Sequence, residues 1–102
     1  MERRGAHGLI ARLTGAFLSS APPLFDQLKQ ATARGDMPAA RHAAHTLKSS
    51  NANVGALAVS RLFALIEADA RQSAVAATAA RLDEAEHEFA RVIAALKNLT
   101  PA

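Results

Sequence analysis

Residues 37–55 read Met37-Pro38-Ala39-Ala40-Arg41-His42-Ala43-Ala44-His45-Thr46-Leu47-Lys48-Ser49-Ser50-Asn51-Ala52-Asn53-Val54-Gly55. Placed at about 100° per residue, Ala40, Ala43, Leu47, Ser50 and Val54 fall on one side of a helix. That side is small and mostly apolar, the surface a helix turns toward a core. His45 lies on the opposite side, flanked by Arg41, His42, Lys48, Ser49 and Ala52. An imidazole therefore stands in the middle of a solvent-facing stripe, one turn from an ammonium and a hydroxyl. Asp36 precedes the segment as a natural N-cap, and Asn53-Val54-Gly55 marks the turn out of it.

Working outward, the pattern predicts four more helical segments. The first runs from about residue 9 to 19, with Leu9, Leu13 and Phe17 at every fourth position. Ala21-Pro22-Pro23 is read as a break that also starts the next helix, because proline suits a first turn. The second runs over about 22–33, with Leu24, Phe25 and Leu28 as its apolar face, and Arg34-Gly35-Asp36 ends it. Beyond the central segment, a helix over about 56–71 uses Leu57, Leu62, Leu65 and Ile66, with Glu67 and Arg71 one turn apart and able to pair. The last covers about 77–99, with Leu82, Ala85, Phe89, Val92, Leu96 and Leu99 as a three-four seam. Thr100-Pro101-Ala102 is a tail. Short connections make sequential helices antiparallel neighbours. The expected fold is all-α: an antiparallel up-and-down four-helix bundle with an additional N-terminal helix.

Composition bounds the rest. The 102 residues make one domain and one modest core. There are four Phe, no Trp, no Tyr and no Cys. The Ala-rich, aromatic-poor chain favours helix, and the lack of cysteine excludes disulfides and thiolate chemistry. No apolar run approaches a membrane span, and Met1-Glu2-Arg3-Arg4 is not followed by the apolar stretch of a signal peptide. A cytoplasmic setting is expected. The net charge is +3 and the isoelectric point about 10.2, but the basic residues are scattered rather than clustered with aromatics. A basic helical nucleic-acid binder is the weaker alternative.

The residues around His45 suit a phosphate carrier. Neutral imidazole is a good nucleophile at physiological pH. Lys48 can bring positive charge to a phosphoryl group and Ser49 can donate a hydrogen bond. Ala52 leaves open space for a docking partner, and Arg41 and His42 stand where a partner would touch. No Gly-rich loop or Walker pattern provides a nucleotide site. Glu84 and His87 form a Glu-x-x-His pair, but a metal site of that type needs a second pair, which is missing. No metal site is expected. His7 precedes the first clear segment and is read as uninvolved.

The run from Ala44 to Ala56 closely resembles the signature of histidine-containing phosphotransfer (HPt) domains: a His-x-Leu-Lys-Gly-Ser run, then an apolar residue and Gly. Leu65-Ile66-Glu67-Ala68-Asp69-Ala70-Arg71 is similar to the Leu-Glu-x-x-Ala-Arg pattern of that family's next helix. The resemblance implies a four-helix core with an exposed phosphoaccepting histidine, here His45. This residue would take phosphoryl from a receiver-domain aspartate and pass it to another receiver's aspartate, in a two-component phosphorelay. The chain would be a phosphoryl carrier rather than a kinase with its own ATP site. It would need no cofactor of its own, the magnesium ion belonging to the receiver. It would act as a monomer, either free-standing or as one module of a hybrid sensor kinase. The family's usual Gly after the Lys is Ser49 here. That departure keeps open a second reading, a bundle that uses the same face only to bind a protein.

Overall fold

Three helix ends in this chain share one hydrogen-bonded stop, and those stops set the architecture. After Arg34, the amide of Gly35 donates to the carbonyl of Thr32 and that of Asp36 reaches back to Ala31 at 2.8 Å. The same pair of bonds recurs at Gly55 and Ala56, and at Ser73 and Ala74. Each requires a left-handed residue after the helix, and the φ values are +73° at Gly35, +83° at Gly55 and +57° at Ser73. The computed structural model, described for residues 3–99 and for side chains from residue 8, is thereby divided into α1 (Arg3–Arg34), α2 (Met37–Asn53), α3 (Leu57–Arg71) and α4 (Val75–Leu99). No strand occurs among the described residues. The tail expected at 100–102 lies outside them, as does the side chain of His7.

The break expected at Ala21-Pro22-Pro23 is absent. α1 runs unbroken through both prolines, so the additional N-terminal helix is the first part of α1 and not a separate element. The physical reason is the stripe beneath them. Thr14, Phe17, Ala21, Phe25, Leu28 and Ala31 are all buried, three or four residues apart, with buried Thr32 beside the last, and carry one mostly apolar face straight past the prolines. Packing of that face outweighs the roughly 3 kcal/mol that an interior proline costs a helix. Pro23 itself is exposed and Pro22 only half-buried.

α2 starts where expected: the Asp36 carboxylate accepts from the amide of Ala39 at 3.2 Å, and Pro38 occupies the first turn. Its buried face is Met37, Ala40, Ala43, Ala44, Leu47 and Asn51, with Ser50 and Val54 half-buried. The small alanine side chains let α2 sit closely against both α1 and α3, its two neighbours. α4 packs against α3 and α1, closing a helical bundle around a cluster of four phenylalanines. Phe25 and Phe89 stack at 5.3 Å between centroids, Phe63 meets both edge-on, and Phe17 meets Phe89 at 6.0 Å.

Several residues expected inside lie outside. Leu57 and Leu65 are exposed on α3, whose buried face is Val59, Ser60, Phe63, Ile66, Glu67 and Ala70. Leu9, Leu13 and Leu99 are exposed as well. α1 is about 48 Å long at 1.5 Å per residue, while the helices it packs against are shorter, which leaves its first turns with little to cover them.

Candidate functional site

The α2–α3 pair builds the site. The hydroxyl of Ser60, on α3, donates to the backbone carbonyl of Lys48, on α2, at 2.8 Å. This ties the two helices together at Lys48, one turn beyond His45. Two turns further along α3, the side chain of Glu67 is only 8% exposed yet faces the outer edge of α2. There it receives three donors. His45 Nδ1 lies 3.0 Å from Oε2, Lys48 Nζ lies 2.9 Å from Oε1, and Arg71 Nη2 lies 3.0 Å from Oε2.

The electrostatics follow from that arrangement. Burial alone pushes the Glu67 carboxyl pKa up, but the hydrogen bonds and charges of Lys48 and His45 outweigh it, and the net shift is downward. Glu67 is therefore ionised at neutral pH. A carboxylate only accepts, so the hydrogen between it and His45 sits on Nδ1. In the neutral ring this leaves the lone pair on Nε2. The His45 side chain is 57% exposed, so that lone pair is open to an approaching group.

The sequence-derived residues divide as follows. His45, Arg41, His42, Ser49 and Ala52 are all exposed. The hydroxyl of Ser49 has no hydrogen-bond partner among the described residues, whereas the neighbouring Ser50 hydroxyl donates to the Thr46 carbonyl. Lys48 is half-buried and bound to Glu67, not free on the surface. Arg41, His42, His45, Glu67 and Arg71 line a shallow depression. The Glu67–Arg71 pair was legible from its spacing. Glu67 as the group that holds His45 and Lys48 was not, although it stands within the stretch similar to the second HPt motif. Glu84 and His87 are both exposed, and no cluster able to hold a metal ion occurs among the described residues.

Three comparisons bear on this geometry. The Hpt domain family matches residues 12–98. The chain is similar in structure to histidine-containing phosphotransfer protein B (HptB) from Pseudomonas aeruginosa PAO1, with a TM-score of 0.82 and 28% sequence identity over 86% of this chain and 76% of that one. No curated protein is a significant match. No helix among the described residues is long and apolar enough to cross a membrane. With a family match over most of its length and an exposed histidine in the matching motif, the chain belongs to the Hpt domain family, the histidine phosphotransfer modules of two-component phosphorelays.

Proposed function

We propose that His45 is the phosphoacceptor, taking a phosphoryl group from the aspartate of one receiver domain and delivering it to the aspartate of another. The observation that carries this reading is the exposed imidazole held at Nδ1 by a buried carboxylate, 3.0 Å away. In the forward step the Nε2 lone pair attacks phosphorus. An N–P bond forms, the P–O bond to the receiver's aspartate breaks, and its electron pair leaves with the carboxylate. The ring, substituted at Nε2 and protonated at Nδ1, carries positive charge, which the Glu67 carboxylate stabilises. In the second step the other receiver's carboxylate attacks phosphorus and the N–P electron pair returns to Nε2. Glu67 thus serves both directions: it sets the tautomer before transfer and supports the cationic ring after it.

Lys48 and Ser49 are assigned to the phosphoryl group, and Arg41, His42 and Ala52 to contact with the receiver. The magnesium ion such transfers use is assigned to the receiver. The bundle is read as antiparallel up-and-down, monomeric and cytoplasmic.

The test is direct. Incubating the chain with an aspartyl-phosphorylated receiver should give an acid-labile label on His45, and His45→Gln should abolish it. Gln can still donate to Glu67, so the variant should remain folded, within about 1 kcal/mol of the native chain. Label retained in a folded His45→Gln variant would show that another residue is the acceptor.

A further inference from the structure

The depression beside His45 holds more positive charge than its one carboxylate can balance. Arg41 and Arg71 both line it, and Lys48 shares the same Glu67. Three cations therefore face one carboxylate, a surplus of about two charges. Arg41 has no carboxylate partner among the described residues. Arg71 commits one nitrogen, Nη2, to Glu67, and the rest of its five-donor fork remains available. Because Nη2 of Arg71 and Nδ1 of His45 bind the same oxygen, each at 3.0 Å, they lie within about 6 Å of each other. Lys48 is bound to the other oxygen. A phosphoryl group carries about −1.5 to −2 charges at neutral pH, so even with the cationic ring counted the site gains net negative charge that the surplus can balance.

We infer that Arg41 and Arg71 form a two-guanidinium clamp for the phosphoryl group on His45, so that the basic rim stabilises the phosphorylated domain itself. This rests on the phosphoacceptor reading above. Arg41 approaches from one turn earlier on α2. Arg71 approaches from α3, bridging Glu67 to the phosphoryl oxygens without leaving its carboxylate. Planar guanidinium groups suit this task because they present paired donors to phosphate oxygens. Lys48, tied to Oε1, keeps its role at the phosphoryl group, and the two guanidinium groups add to it.

A clamp and a docking contact make different demands on experiment. The equilibrium constant for transfer from the receiver's aspartate to His45 depends only on the separated partners. A docking defect slows transfer but leaves that constant unchanged. The constant is measured for the native chain, Arg41→Gln, Arg71→Gln and the double variant with one phosphorylated receiver, together with the ³¹P resonance of phospho-His45 in each. The expected result is a shift toward the receiver of roughly threefold in each single variant and roughly tenfold in the double, with a displaced ³¹P resonance. Arg41→Gln is the cleaner arm, since it leaves the Glu67 contacts intact. A double variant that labels on His45 with the native constant and resonance would overturn the clamp alone. Failure of the native chain to label at all would instead remove the phosphoacceptor reading, and the clamp with it.

Discussion

The carboxylate of Glu67 sits 3.0 Å from Nδ1 of His45, across the α2–α3 contact and 22 residues along the chain. The imidazole is on the surface while its partner is buried, so a fixed anion beneath the ring determines which nitrogen faces outward. The same anion is held by Lys48 and Arg71. The site is therefore one carboxylate with three donors rather than a histidine with independent neighbours.

Replacing Glu67 with Gln should slow phosphoryl acceptance by roughly tenfold or more. A glutamine amide can donate to Nδ1 and favour the tautomer whose Nε2 carries hydrogen, the wrong one for attack. The stability effect has a definite sign. The fold lowers the Glu67 pKa from its ordinary 4.5, so the ionised form is favoured in the native state. That contribution is complete above the unfolded value and disappears as pH falls through the folded one. Because the partners are partly exposed, about 1 kcal/mol is expected at neutral pH. Thermal melts of both chains between pH 7 and pH 3 should show a gap that narrows below about pH 4.5. A gap that does not change with pH would show that the carboxylate charge contributes nothing.

Lys48→Ala should slow transfer without eliminating it. Its ammonium is held 2.9 Å from Glu67 Oε1, so its loss weakens the support of His45 rather than removing the nucleophile. Transfer rates at several salt concentrations provide the check. A low-salt rate equal to that of the native chain would refute any role for Lys48.

Ser49 offers an exposed hydroxyl, one turn from His45, with no partner among the described residues. Ser49→Ala and Ser49→Gly should both slow transfer or shorten the phosphohistidine lifetime, and the Gly variant should also lose roughly half a kcal/mol of helix stability. Faster transfer in the Gly variant, with an unaltered lifetime, would mean that the hydroxyl crowds the receiver instead of binding the phosphoryl group.

Ser73 is a non-glycine residue at φ +57°, in a helix stop where the other two examples use Gly35 and Gly55. It is exposed, and its side chain has no hydrogen bond among the described residues to offset the strain. Ser73→Gly should stabilise the chain by about 0.5–1 kcal/mol, read as a raised melting temperature. A lowered one would show that unfolded-state entropy outweighs the relief of strain.

The helix that carries His45 was largely legible because its evidence is local. The wheel of α2 separates His45 from Ala40, Ala43 and Leu47 without reference to any other element, and Asp36, Gly35 and Gly55 announce their turns by residue type. α3 was less legible. Its inward face alternates Phe63 and Ile66 with Ser60 and Glu67, and a reading built on apolar periodicity discards the two polar members. It then placed Leu57 and Leu65 in the core, although both are exposed. The role of Glu67 depends on packing between helices, which spacing along one helix does not reveal. In α1, two prolines carried more weight in the reading than the buried stripe beneath them, whereas in the fold the stripe prevails.

The three-residue turn from Val54 to Ala56 has a kinetic consequence. His45, Lys48, Glu67 and Arg71 all lie on the two helices it joins, so the whole site belongs to one helical hairpin. Closing so short a loop carries little entropic cost, and contacts between adjacent helices are the kind that form on the fastest folding timescales. The site should thus take shape with the first tertiary contacts of the chain, before α1 and α4 complete the phenylalanine cluster, rather than being assembled last from distant pieces.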